Sequence, residues 1–278
     1  MPSSLDDDVV QPTPITEPWI RTADPRDRLV DVRADDRWMI VVAHPDDETF
    51  GCGSVIAHAA AHGAHVSVLC ATRGEAGEPS ALVPADAHLA DVREAELRTA
   101  AALLGVDHVT LLDHRDSGFD GRLEPRALCA VGHGALVDEI SEHVVDTAPT
   151  LVVTLDGSDG HRDHERIRDV VRDALSMIGE SRSTPVPALY EHCVPNSLMR
   201  RWLDEMRSRR PDTAYLALDP RRLGRSDEDI TDVVDVSAFL ELRDAAIAAH
   251  RSQTSPFEGL SADLRRAFLC TDHLARVL

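Results

Sequence analysis

The sequence contains no lysine, since all 29 of its basic residues are arginine. Schiff-base catalysis and Walker-type phosphate binding each use a lysine amine, so neither chemistry has its usual residue here. The 29 basic residues are outnumbered by 49 acidic ones, which gives a formal net charge of −20. The average field of the protein therefore repels nucleic acids and anionic lipids, and we expect neither as a partner.

Paired cysteines and long apolar runs are also missing. The five cysteines are scattered without CxxC spacing, which argues against a disulfide framework and against a cysteine-based zinc site. The first residues, MPSSLDDDVV, are acidic where a signal peptide is basic, and no apolar run approaches the roughly 18 residues of a membrane span. We expect a cytoplasmic protein with reduced thiols and no membrane span.

The chain divides into an N-terminal arm and one large domain. Residues 1–30 mix prolines with acidic, serine and threonine residues without a period, which predicts a poorly ordered arm. Residues 31–278 are predicted to form a single domain. From Trp38 onward, short apolar runs alternate with segments of helical spacing. The runs lie at 38–43, 65–71, 108–112 and 150–155, and the helical segments at 51–62, 88–104 and 125–146.

This alternation predicts right-handed βαβ units. The expected fold class is α/β, with a Rossmann-like, doubly wound, mostly parallel sheet flanked by helices. Later in the chain the pattern predicts a helix over 164–177, an apolar segment at 187–192, a strand over 233–236 and a helix over 238–250. This last helix and the apolar positions around 260–269 fit core packing or a subunit contact, so a homo-oligomer stays open.

The first candidate site directly follows the first predicted strand. Residues 43–48 read AHPDDE and lead into a glycine-containing turn. In open α/β sheets ligands bind beyond the carboxyl ends of the strands, so His44, Asp46 and Asp47 lie where an active site is expected. Adjacent carboxylates repel one another, and a metal ion bound by imidazole and carboxylate relieves that repulsion. The alternative is a solvated acidic turn that caps the next helix.

A second candidate site follows the fourth predicted strand. Residues 156–164 read DGSDGHRDH, a loop that ends in an HxxH pair at the start of a helix. Such a pair arises easily by chance among 14 histidines, so a surface pair is the alternative. Because both segments follow strand ends, a histidine and a carboxylate of the first can join a histidine of the second in a three-ligand metal site.

These segments resemble the PIG-L/LmbE-like family of zinc-dependent N-deacetylases, which includes the deacetylase and amidase of the mycothiol pathway. The resemblance runs in order along residues 38–253. It rests on AHPDDE (43–48), TRGEAG (72–77), REAEL (93–97), RDSG (115–118), GHRDH (160–164) and HRSQ (250–253). It implies hydrolysis of an N-acyl amide, such as an N-acetyl amide, on an amino sugar or related small polar conjugate, with one Zn²⁺ per chain that Fe²⁺ or Co²⁺ could replace.

The resemblance also implies a role for each residue of the two segments. Three residues would bind the metal ion: His44, Asp47 and His164. Asp46 would be the general base that takes a proton from the activated water. His161 would stabilise the oxyanion or protonate the leaving amine, and Asp163 would orient its ring.

The resemblance implies substrate contacts for Arg93 and Asp116. Asp159, where the chain departs from the family, is expected either to face solvent or to bind a donor on the substrate. An arginine and a carboxylate suit the hydroxyls or phosphate of a polar ligand. For Arg93 the alternative is a surface arginine that pairs with Glu96 on the same helix.

The chain departs from the family pattern at two positions. Arg162 replaces a proline, which removes no catalytic group. Asp159 stands where the mycothiol-type relatives have a tyrosine, so the phenol that could polarise the acyl carbonyl is missing. Tyr190 and Tyr215 are the two tyrosines of the chain that could substitute for it.

Two further functions stay open. A metal-binding but inactive family member would keep the same ligands. A nucleotide-binding module is suggested by Gly51 and Gly53 after the first strand, but three carboxylates before these glycines oppose a pyrophosphate and no third glycine completes the fingerprint.

Overall fold

The structure is a computed structural model that describes residues 28–181 and 185–278. Within these residues it contains seven strands and eight helices. The strands are β1 (Arg37–Val42), β2 (His65–Thr72), β3 (His108–His114), β4 (Leu151–Leu155), β5 (Ala188–Cys193), β6 (Asp232–Asp235) and β7 (Thr271–Arg276). The helices are α1 (Asp47–Phe50), α2 (Gly53–Ala61), α3 (Leu89–Leu104), α4 (His133–Thr147), α5 (Arg162–Ser181), α6 (Asn196–Arg209), α7 (Leu240–Ala249) and α8 (Ala262–Leu269).

All seven strands belong to one sheet in the order β3-β2-β1-β4-β5-β7-β6. The first five run parallel, whereas β7 is antiparallel to both of its neighbours. The chain winds outward from β1 in one direction to β3 and in the other to β5, so β1 and β4 meet at the topological switch point. The predicted α/β class and the mostly parallel sheet are confirmed.

Apolar side chains cover both faces of the central strands. In β1 Trp38 and Ile40 point into one buried cluster, and Met39 and Val41 point into another. Helices α2, α3 and α7 pack on the first face, and α4 and α5 on the second. A parallel sheet covered on both faces needs nearly continuous apolar strands, which is why β1 and β4 read as unbroken runs in the sequence.

A third apolar cluster lies beside the sheet and was not predicted. It joins α6 to α8 through Leu198, Trp202, Leu203 and Leu264. Tyr215, from the 3₁₀ turn Ala214–Ala217, packs against it. Residues 260–269 therefore take part in core packing, as one of the two sequence interpretations proposed.

Other boundaries differ from the sequence predictions. Helix α4 begins at His133 rather than at 125, because Arg126 has a left-handed backbone (φ 68°) that a helix interior does not accommodate. The predicted arm, residues 1–30, lies outside the described residues except for 28–30, where Leu29 is buried. Among the described helices, none is long and apolar enough to cross a membrane.

Candidate functional site

The two sequence motifs meet at the switch point of the sheet. Residues 44–48 follow the end of β1, and residues 156–164 follow the end of the neighbouring strand β4. Asp116 follows β3, and Arg93 reaches the same place from the first half of α3. The fold thus brings together all nine predicted site residues at one edge of the sheet.

His44, Asp47 and His164 form the centre of the site. His44 Nδ1 lies 3.2 Å from His164 Nε2 and 3.4 Å from Asp47 Oδ2. His164 Nε2 lies 3.2 Å from Asp47 Oδ1. Asp47 is also held in place by the His44 backbone N–H, which donates to its Oδ2 at 2.8 Å. Two ring nitrogens and one carboxylate therefore face a common point.

A carboxylate binds the outer nitrogen of each ring. His44 Nε2 lies 3.2 Å from Asp163 Oδ2 and 3.5 Å from Asp116 Oδ1. His164 Nδ1 lies 2.6 Å from Asp159 Oδ2. A metal-binding histidine commonly donates its second ring N–H to a carboxylate, which fixes the tautomer and turns the other nitrogen towards the metal. Both rings have this arrangement.

The donor set fits one divalent metal ion. Ligand bonds of 2.0–2.2 Å in a tetrahedral shell place neighbouring donor atoms about 3.4 Å apart, close to the separations found here. Two other groups of donor atoms around His44 also lie within 4.8 Å of one another. One consists of His44, His161 and His164, and the other of His44, Asp116 and Asp163. All three groups share His44, so any ion bound here lies against its ring.

Asp46 lies beside this centre and is held by two neighbours, Glu48 and Arg93. Its backbone is left-handed (φ 114°), and its N–H donates to Glu48 Oε2 at 2.9 Å. Its carboxylate forms an ion pair with Arg93, with 3.0 Å between Oδ2 and Nη2. Burial raises the pKa of Asp46 to about 6, although the charge of Arg93 opposes that shift. Glu48 is itself paired with His250 at 2.8 Å.

Arg93 is buried and serves the loop that carries Asp46. Besides Asp46, it donates to the carbonyl oxygens of Gly74 and Pro45. The surface pairing with Glu96 does not occur, because Glu96 accepts hydrogen bonds from Ser252. A side chain at Gly74 would lie 2.3–2.8 Å from guanidinium atoms of Arg93, which explains the glycine of the TRGEAG motif.

His161 and Asp163 are arranged differently from the expectation. The Asp163 carboxylate contacts His44 and accepts from the Ser117 N–H at 2.9 Å. Its backbone N–H, rather than its carboxylate, reaches His161 Nδ1 at 3.2 Å. Because His161 Nδ1 accepts a hydrogen bond, the ring proton resides on Nε2, which can donate. Burial and the charges of His44 and His164 lower the pKa of His161 to about 4, so the ring is neutral.

Arg162, which replaces the proline of the family motif, holds the loop after β3. Its guanidinium donates to the backbone carbonyls of Ser117, Gly118, Asp120 and Gly121. That loop carries Asp116 and also Phe119, whose ring contacts His161 at a centroid distance of 5.7 Å. The substitution therefore adds hydrogen bonds that hold this loop at the edge of the site.

The site opens into a cavity of about 370 Å³. The residues that line its far wall were not predicted from the sequence. Tyr215 lines this cavity, whereas Tyr190 is buried in the sheet core. The Tyr215 ring is fixed between Phe119 and Trp202, at centroid distances of 5.4 and 5.5 Å. Its hydroxyl has no hydrogen-bond partner among the described residues. The scarcity of tyrosine in the chain was the one signal that pointed to it.

Comparison with known proteins agrees with this arrangement. The chain is 33% identical over 259 residues to a 1D-myo-inositol 2-acetamido-2-deoxy-alpha-D-glucopyranoside deacetylase of Thermomonospora curvata, covering 83% of this chain and 86% of the relative. Its fold is similar to that of N,N'-diacetylchitobiose deacetylase from Pyrococcus horikoshii, with a TM-score of 0.62, 18% identity and coverage of 91% and 87%.

The fold is also similar to that of GalB, the 4-carboxy-2-hydroxymuconate hydratase from Pseudomonas putida KT2440, with a TM-score of 0.57 at 16% identity. This likeness covers 87% of this chain and 96% of GalB. The model of the PIG-L family, described as GlcNAc-PI de-N-acetylase, matches residues 39–175, which contain both motifs of the site. The chain belongs to the PIG-L family.

Proposed function

We propose that this protein is a metal-dependent N-deacetylase that hydrolyses the N-acetyl amide of an amino sugar conjugate. The observation that carries the proposal is the pair of carboxylate-oriented histidines facing Asp47, with the unliganded carboxylate of Asp46 beside them. The named activities of the T. curvata relative and of the P. horikoshii enzyme support the same reaction.

The metal ligands in this proposal are His44, Asp47 and His164. We assign one Zn²⁺ per chain, which Fe²⁺ or Co²⁺ can replace because a donor set of two nitrogens and one carboxylate discriminates poorly among these ions. When bound, zinc acts as a Lewis acid that activates water and polarises the acyl carbonyl.

The residues around the proposed ligands have separate roles in the reaction. Asp46, held by Arg93, takes the proton of the attacking water and delivers it towards the leaving amine. His161 donates its Nε2 proton to the oxyanion that develops on the acyl oxygen. Asp116 lines the cavity beside His44 and binds a hydroxyl of the sugar. Arg93 lines the cavity as well, but its main bonds hold Asp46, so we assign it a positioning role.

The first test compares the protein stripped of metal by a chelator with the same protein reloaded with zinc. Only the reloaded protein should release free amine from N-acetylglucosamine conjugates. The decisive pair of variants is Asp46→Asn and Asp47→Asn. Asp46→Asn should keep the metal and lose at least about a hundredfold in kcat, as expected of a general base, whereas Asp47→Asn should lose metal affinity.

Three results would contradict the proposal. Equal metal loss in both variants would make Asp46 a ligand. Tight zinc binding without hydrolysis of any N-acyl sugar would favour an inactive member of the family, and tight NADH binding would favour a nucleotide-binding module. A cytoplasmic location and a homo-oligomer remain predictions from the sequence.

A further inference from the structure

Aromatic side chains are scarce in this chain, yet they are concentrated at the catalytic cavity. The sequence has five phenylalanines, three tryptophans and two tyrosines. Half of these ten line the cavity that also contains His44 and Asp47: Phe50, Trp202, Tyr215, Phe257 and Phe268. A chain that places half of its aromatic residues around one cavity is equipped to bind an apolar group there.

We define the aromatic recess as the part of the cavity lined by Leu198, Met199, Trp202, Tyr215, Phe257 and Phe268. Apart from the Tyr215 hydroxyl, two features make its wall apolar. The indole N–H of Trp202 donates to the Pro256 carbonyl at 2.9 Å, so no polar atom of this ring remains to bind a ligand. Leu198 and Met199 add aliphatic surface, which offers a sugar neither a hydrogen bond nor an aromatic face.

The recess is built on rigid elements. Leu198, Met199 and Trp202 lie on α6, and Phe268 lies on α8. The first three are 5–8% exposed and belong to the third apolar cluster, which fixes their position. The Phe257 ring is fixed in turn by Phe50 and Phe268, at centroid distances of 6.1 and 5.7 Å.

The recess also lies outside the part of the chain that the family model matches. That match ends at residue 175, and the recess residues run from 198 to 268. The metal centre therefore comes from the family-matched half, and the apolar wall comes from the other half. Both line the same cavity, so a ligand whose amide lies at the centre can extend towards the recess.

We propose that the substrate carries an alkyl chain or an aromatic ring near its N-acyl bond and seats this apolar group in the aromatic recess. The inference rests on the proposed function, because it takes the His44–Asp47–His164 centre as the place of hydrolysis. The apolar group belongs either to the acyl chain or to the aglycone of the amine. Each methylene group buried there should raise kcat/KM about threefold to fourfold.

The test uses the zinc-loaded protein and two substrate series. In the first, the N-acyl group of glucosamine lengthens from acetyl to butanoyl, hexanoyl and octanoyl. In the second, the acetyl group stays and the glycoside lengthens from methyl to butyl, hexyl and octyl. We expect kcat/KM to rise at least tenfold along one series, and the series that gains identifies which side of the amide enters the recess. If both series are flat or fall, the inference is wrong while the deacetylase function stands.

A binding measurement separates the two proposals. Octyl glucoside and methyl glucoside lack an amide, so their dissociation constants by calorimetry do not depend on hydrolysis. Octyl glucoside should bind at least tenfold more tightly. If that preference holds but no N-acyl substrate is cleaved, the recess is supported and the proposed reaction fails. If the preference is absent, the recess inference is overturned whatever the enzyme hydrolyses.

A variant that fills the recess adds a third test. Met199→Trp should lower the octyl-to-methyl preference at least tenfold, because the indole occupies the space of the chain. Met177→Trp is the matched control: Met177 lies on α5 with 39% of its surface exposed, and the preference should not change there. An unchanged preference in folded Met199→Trp would contradict the inference, and the wild-type series decides the matter if that variant does not fold.

Discussion

Asp159 contacts the ring of His164 and the backbone of His161. From the sequence it stood in place of a tyrosine and was expected to face solvent or a substrate group. In the structure its Oδ2 lies 2.6 Å from His164 Nδ1, and its Oδ1 accepts a hydrogen bond from the backbone N–H of His161 at 3.0 Å. It therefore orients His164, one of the proposed metal ligands, and the loop before it. Nothing in the sequence signals that contact, because it depends on how Gly160 turns the loop.

Removal of the Asp159 carboxylate should weaken metal binding. We expect Asp159→Ala to raise the zinc dissociation constant about tenfold to a hundredfold, the usual effect of losing a carboxylate behind a ligating histidine. Asp159→Asn should be intermediate, because its amide oxygen still accepts from the ring. Competition with a chromogenic chelator measures both.

Asp169→Ala is a suitable control for Asp159→Ala, since Asp169 is half-exposed on the same helix as His164. Unchanged zinc affinity in Asp159→Ala, together with a loss of kcat/KM, would instead mean that Asp159 binds the substrate.

Tyr215 is the tyrosine that the structure places at the cavity. Burial and the nearby carboxylates of Asp159, Asp47 and Asp46 raise its pKa, so the phenol keeps its proton and can donate. If it polarises the acyl carbonyl, Tyr215→Phe should lower kcat about a hundredfold with little change in KM, because the bond strengthens in the transition state.

Tyr190→Phe removes a phenolic hydroxyl from the sheet core instead, and it should leave kcat nearly unchanged. Steady-state kinetics of both variants on one substrate checks the difference. Equal kinetics for Tyr215→Phe and the wild type would leave His161 as the sole donor to the oxyanion.

At the scale of elements, the residue that follows α7 stabilises the turn at α1 through a buried pair. His250, which follows α7, contacts Glu48 on α1 at 2.8 Å, and both side chains are fully buried. Burial alone would lower the pKa of His250, but the negative charges of Glu48, Asp46 and Glu96 outweigh it and raise that pKa. The HRSQ motif is thus a structural partner of AHPDDE.

The pair makes stability depend on pH in a defined direction. A histidine whose pKa is raised on folding contributes stability that is complete below its unfolded pKa of about 6.5 and is lost as the pH rises through the folded value. The free energy of unfolding of the wild type should therefore exceed that of His250→Gln by more at pH 6 than at pH 9. Urea denaturation at the two pH values measures it.

The exposed His108 provides the comparison for His250. His108→Gln should show nearly the same difference from the wild type at both pH values, because this side chain lies on the surface of β3. If His250→Gln behaved in the same way, the charged form of His250 would contribute nothing to the stability of the α1–α7 contact.

Sequence patterns found the elements that follow a simple period and missed those that do not. Strands β1, β2 and β4 are parallel, buried on both faces and flanked by helices, so their apolar runs stand out. Strand β7, with the sequence TDHLAR, carries charged residues on an antiparallel pairing between β5 and β6 and gives no such run. Helix α6 has apolar residues at helical spacing, but six charged side chains cover its other face.

At the scale of the whole molecule, the fold does not determine the reaction. The same architecture is found in two deacetylases and in a hydratase, with less than 25% identity to this chain in the solved structures. The convergence of the three proposed metal ligands could be predicted because strand ends and motifs place them. The cavity wall could not, because α6 and α8 come together only through the tertiary contacts of the third apolar cluster.

The metal should stabilise the molecule without being required for folding. Both faces of the sheet are packed by apolar clusters that include none of the three proposed ligands. At a free zinc concentration a thousandfold above the dissociation constant, binding to the native state contributes about 4 kcal/mol, which corresponds to a rise in Tm on the order of 10 °C for a domain of this size. Calorimetry of the chelated and the zinc-loaded protein measures the rise. Asp47→Asn should lose most of it and Asp138→Asn, exposed on α4, should keep it. An unfolded metal-free protein would show instead that the site, rather than the apolar clusters, holds the sheet together.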